Sequence, residues 1–91
     1  MPRYMIERTF PDGLKIPMTD KGAEACASVV AHNAKTGVTW LHSYVTRDLR
    51  QTFCIYDGPS AEAIREAATR NNLPIDRITP VNVLDPYFYK T

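Results

Sequence analysis

The sequence is short of most features that announce a function. No apolar run approaches the roughly 18 residues of a membrane span. There is no glycine-rich phosphate loop, no HExxH and no GxSxG. Only two histidines and two cysteines occur in 91 residues. Cys26 and Cys54 are far apart and never form CxxC, so neither a zinc knuckle nor a thioredoxin-type pair is signalled. Free thiols fit a cytoplasmic protein. Excess charge of one sign is also missing: eleven basic and ten acidic side chains leave a net charge of +1. That weighs against a nucleic-acid or anionic-membrane surface. The opening MPRYMIERTF lacks the apolar stretch of a signal peptide and reads as a strand.

What is present is the pattern of one small domain over residues 1–91, too short for a second core. Alternation over Arg3–Phe10, closed by Pro11-Asp12-Gly13, predicts a strand. Thr19 or Asp20 can cap a following helix. In that helix Ala23, Cys26, Ala27, Val30 and Ala34 make one stripe of small side chains, and Gly37 ends it. Val38–Thr46 and Gln51–Asp57 are β-rich and joined by a short turn at Arg47–Arg50, as in a hairpin. Ser60 caps a second helix with an inner face of Ile64, Ala67, Ala68 and Asn71. Asn72 can close it in the left-handed conformation, and Pro74 forbids continuation. Ile78–Leu84 is the last strand. The order βαββαβ, with right-handed crossovers, predicts an α+β, ferredoxin-like sandwich: a four-stranded antiparallel sheet with both helices on one face.

Strand alternation divides the sheet into two sets of side chains. Tyr4, Ile6, Leu41, Val45, Phe53, Ile55, Val81 and Val83 form the plainer apolar set, expected beneath the helices. The other set holds Met5, Glu7 and Thr9, then Trp40, His42 and Tyr44, then Thr52, Cys54 and Tyr56. If the hairpin keeps this parity, Tyr44 lies opposite Cys54 and His42 opposite Tyr56; one residue more or less in the loop flips one strand. This second face is too aromatic to leave in water. A second copy, packed sheet on sheet as a dimeric α/β barrel, is the simplest cover. Tyr87, Phe88 and Tyr89 could clasp that partner.

The same face gathers ligand chemistry. His42 offers an imidazole, Glu7 a carboxylate and Cys54 a thiol that a metal can deprotonate. Such a mixed set suits nickel, copper or zinc better than magnesium or calcium. Tyr44 and Tyr56 could donate hydrogen bonds from behind the ligands. Each residue also has a plainer reading. A strand histidine is often a hydrogen-bonded interface residue, a strand cysteine a small buried hydrophobe, and a covered glutamate needs only a partner such as Arg3, His42 or a tyrosine. His32, late in the first helix, suits the helix C-terminus, and Cys26 belongs to the packing stripe. Too few acid–base groups are present to favour an enzyme. A small-molecule binder, or a cofactor-independent enzyme of the dimeric α/β-barrel type, is the alternative.

The phrases MPRYMIERTF, GVTWLHSYV, TFCIYDGPSAEAIREAA and NNLPIDRITPVNVLDPYFY resemble, over nearly the whole chain, a bacterial domain-of-unknown-function family. Its characterised members look like small, dimeric, nickel-binding proteins of ferredoxin-like fold. The Trp40-Leu41-His42-Ser43-Tyr44 and Phe53-Cys54-Ile55-Tyr56 blocks carry the resemblance, with the Leu84-Asp85-Pro86-Tyr87 ending. It implies a homodimer with a metal-binding or metal-buffering role in the cytoplasm, with nickel as the metal. Glu7, His42 and Cys54 stand inside matching phrases, whereas His32 does not.

Overall fold

A computed structural model describes residues 2–15 and 20–87, with the side chains of residues 20, 21, 32 and 34 left aside. The candidate cap at Thr19 or Asp20, the side chain of His32, and Phe88 and Tyr89 therefore lie outside the described residues. The elements run β1 (Arg3–Thr9), α1 (Asp20–Ala34), β2 (Thr39–Val45), β3 (Gln51–Asp57), α2 (Ala61–Arg70) and β4 (Arg77–Val81). The strands form one sheet in the order β2-β3-β1-β4, every neighbouring pair antiparallel. This is the expected ferredoxin-like α+β arrangement.

Local chemistry explains the helix ends. Ser60 is extended, and its hydroxyl accepts a hydrogen bond from the amide of Ala63 (3.2 Å), so a donor left over by the first turn of α2 is satisfied. Asn72 closes α2 at φ 55°, with the amides of Asn72 and Leu73 donating to Thr69 and Ala68. Ile64, Ala67 and Ala68 are buried as the spacing predicts. Gly37 follows α1 at φ 72°, a conformation a side chain would strain.

α1 turns a different stripe inward from the one its alanines predict. Gly22 and Asn33 are buried and Cys26 and Val29 half-buried, at helical spacing. Ala23 and Ala27 are exposed, and Val30 is 53% exposed. Alanine carries little burial energy, so five small residues set the helix rotation weakly. Asn33 decides it instead. Its carbonyl accepts from the amides of Thr36 (3.0 Å) and Val38 (3.1 Å), and its side-chain oxygen accepts from Asn71 Nδ2 (3.1 Å). One buried amide thus ties the ends of both helices together.

The core is Ile6, Val38, Cys54, Tyr56, Ile64 and Ala67, with Tyr4, Trp40, Ile75 and Ile78 packed against it. Cys54 and Tyr56 therefore lie under the helices, and their strand mates Phe53 and Ile55 face the other way. That reverses the expected assignment for β3. β4 is also shorter than expected: Val81 pairs with Arg3, and Val83 lies beyond the strand, 56% exposed. Pro80 is tolerated because β4 is an edge strand and needs only one partner.

At one end of the open sheet face the guanidinium of Arg3 donates to both carboxylate oxygens of Asp57, at 2.7 and 3.1 Å, across a directly paired register position. This hydrogen-bonded charge holds the Asp57 carboxyl below the usual carboxylate range. A depressed native pKa stabilises the fold at pH values above the unfolded pKa, about 3.9. That contribution is lost as pH falls through the native value. Asp57→Asn should flatten the acid limb of the stability–pH curve below about pH 5, by less than about 1 kcal/mol because the pair is part-exposed. Denaturant titrations at several pH values read this. Ser60→Ala should cost about 1 kcal/mol in the same experiment at neutral pH.

Candidate functional site

The site follows from how β2 is paired. The turn Arg47–Arg50 is closed by Thr46, whose amide donates to the carbonyl of Gln51 (3.0 Å) and whose hydroxyl accepts from the Gln51 amide (3.1 Å). Within the turn Asp48 accepts from the Thr46 hydroxyl (2.6 Å) and the Arg50 amide (3.0 Å), which keeps its carboxyl below the ordinary range. Val45 then pairs with Thr52, Tyr44 with Phe53, Ser43 with Cys54 and His42 with Ile55. The expected pairs Tyr44–Cys54 and His42–Tyr56 are not formed, because the loop has the opposite parity to the one they require. Between Trp40 and His42 the register shifts, and Trp40 pairs with Tyr56. Leu41 is the extra residue of this bulge.

Two faces result. The helix-free face carries successive cross-strand rows. One is Tyr44, Phe53, Glu7 and Arg77; the next is His42, Ile55, Met5 and Thr79. His42 is exposed and meets the Tyr44 ring edge to face, centroids 5.3 Å apart. Tyr44 is itself 65% exposed. Glu7 lies 4.0 Å from Arg77 Nε, so its nearest charge is neither Arg3 nor His42.

Of the three candidate ligands, Glu7 and His42 share this face. They stand on strands separated by β3, a lateral gap of roughly 10 Å. Cys54 is on the opposite face, 6% exposed, with its thiol 3.6 Å from the Thr52 hydroxyl. The three do not converge within one chain. Among the described residues, no three His, Cys, Asp or Glu side chains are grouped to hold a metal ion. Of the aromatic neighbours, Tyr44 stays beside His42, whereas Trp40 and Tyr56 lie on the helix side.

The helix side contains a cavity of about 440 Å³ between α1 and the sheet. Trp40, Ser43, Val45, Cys54 and Tyr56 line the sheet wall, and Cys26 and Val29 line the helix wall. Arg8 also lines it and is 3% exposed, with its guanidinium over the Tyr56 ring (5.7 Å to the centroid). Burial pushes the Tyr56 hydroxyl above its ordinary pKa, and the Arg8 charge opposes that rise. Arg8 carries no motif that marks it in the sequence. The alternation that places Tyr4 and Ile6 inside places Arg8 there too.

No curated protein matches the sequence. Among solved structures, the crystal structure of SCO4226 from Streptomyces coelicolor A3(2) superposes with a TM-score of 0.71 at 20% sequence identity, covering 91% of this chain and 99% of that one. At that identity the likeness is one of fold. Residues 4–81 match the model of a family described as "Nickel responsive protein SCO4226-like". With its βαββαβ order and a family match that runs from β1 through β4, the chain belongs to the SCO4226-like nickel-responsive family.

Proposed function

We propose that this protein is a cytoplasmic, nickel-binding homodimer that sequesters or buffers the metal, with the helix-free sheet face as both dimer surface and metal site. The observation that carries the reading is an exposed histidine, His42, set among Tyr44, Phe53, Ile55 and Met5 on a face no helix covers, in a member of a nickel-responsive family. Imidazole is a good nickel ligand, and a carboxylate such as Glu7 completes a borderline set. One chain holds these two groups too far apart for one ion. A second copy packed sheet on sheet supplies the missing donors, so metal binding and dimerisation are linked. Water is excluded there, which strengthens each metal–ligand contact. Cys54 takes no part as a ligand, since the sheet separates it from His42.

Isothermal titration of the untagged protein with Ni²⁺ tests the site. His42→Ala should weaken uptake about tenfold or more, and Glu7→Gln should weaken it less. Cys54→Ser should leave it unchanged. Equal uptake by the wild type and His42→Ala removes His42 from the site. The dimer has its own test in the solution mass. Tyr44→Glu changes an exposed ring that costs the isolated chain little, yet places two charges in the proposed seam. It should yield a monomer with an unchanged circular dichroism spectrum; a dimeric Tyr44→Glu variant sinks the proposed interface.

A further inference from the structure

The cavity under α1 is apolar in nearly all its lining, yet it contains a cation. Arg8 reaches it from β1, its Nε atom is buried with no hydrogen-bond partner, and no carboxylate pairs with its charge among the described residues. The ion pairs among the described residues are Arg3–Asp57, Arg70–Glu66 and Arg77–Glu7, none of which includes Arg8. The Tyr56 ring gives it a cation–π contact, but a ring neutralises no charge. An unpaired buried guanidinium is costly, and the usual remedy is an anion with matching geometry.

We infer that this cavity is a binding site for a hydrophobic monocarboxylate, with Arg8 receiving the carboxylate and the wall between Trp40 and Val29 receiving the apolar body. The volume, about 440 Å³, is within the range of small-molecule sites. A carboxylate accepts two parallel N–H bonds from a guanidinium, which supplies the partner that Arg8 Nε lacks. Ser43 adds a second polar contact. Trp40 Nε1 donates to its oxygen (2.9 Å), leaving the hydroxyl proton available to the ligand. A polyanion is disfavoured, because one guanidinium balances one charge and Arg8 is the only charged residue of the described lining. Phe10, Leu14 and Leu49 line the end near the β2–β3 turn, where the Leu14 amide donates to the carbonyl of Leu49 (2.6 Å) and the Phe10 amide to that of Arg50 (2.7 Å). This site is on the opposite side of the sheet from the proposed nickel site and does not rest on it.

Trp40 is the only tryptophan and lines the cavity, so its fluorescence reports occupancy directly. The full chain, in buffer containing a chelator, is titrated with decanoate and with decanol, its neutral counterpart of equal chain length. Decanoate should produce a saturable change and bind at least about tenfold more tightly than decanol, as a hydrogen bond to a charged group implies. Arg8→Met should abolish that preference while decanol still binds. Val29→Trp, on the helix wall, should block both ligands, with occupancy then read by competition against a fluorescent fatty acid. If Arg8→Met does not fold, the comparison of decanoate with decanol in the wild type decides alone. Absence of a saturable response, or equal binding of the two ligands by the wild type, overturns the proposal. Because chelator is present throughout, the outcome is independent of nickel.

Discussion

Everything that positions chemistry in this domain depends on the pairing of β2 with β3. The hydrogen bonds between Thr46 and Gln51 set the register, and the bulge at Leu41 resets it halfway along the strand. Side chains alternate with period two, so a single residue gained or lost moves a side chain through the sheet. The turn sends Cys54 under the helices with Ser43, and leaves His42 and Tyr44 on the helix-free face. The bulge then separates Trp40 from His42 although only Leu41 divides them in sequence. One hairpin thus partitions a compact motif, Trp-Leu-His-Ser-Tyr, into an indole for the interior and an imidazole for the exterior.

The order of elements was legible because each boundary has its own chemical cause. Ser60 caps, Asn72 and Gly37 adopt positive φ, and the expected inner face of α2 is the buried one. The strands and their order follow from alternation and short loops. The faces were less legible. Placing Tyr44 opposite Cys54 needed a loop parity that the turn Thr46–Gln51 does not have, and nothing in a run of β-formers marks Leu41 as a bulge. α1 is a similar case. A stripe of alanines looks apolar, but its burial energy is too small to orient a helix against one amide that satisfies the ends of two helices. That parity alone brings Cys54 to the face of Glu7 and His42, two residues that do share the helix-free face.

The two faces of the sheet have opposite deficiencies. The helix-free face has apolar surface without cover, with an exposed imidazole among its rings. The helix side has cover without full contact, because a pocket of about 440 Å³ remains between α1 and the sheet. A buried cation lies in the space that remains. Each deficiency calls for a different kind of partner. A sheet face carrying Tyr44, Phe53, Ile55 and Met5 suits a like face, as in a second copy. A half-open pocket of about 440 Å³ suits a small molecule.

Both deficiencies bear on stability in a chain of this size. Among the described residues the buried apolar side chains are few: Ile6, Val38, Cys54, Tyr56, Ile64, Ala67 and Ala68. A core that small leaves a narrow margin over conformational entropy. Any partner that binds the folded form alone widens the margin by mass action, in proportion to the logarithm of its concentration over its dissociation constant. The partners would act through the same strands but from opposite sides. On β3, Phe53 and Ile55 point to one and Cys54 and Tyr56 to the other; on β1, Met5 and Glu7 alternate with Ile6 and Arg8.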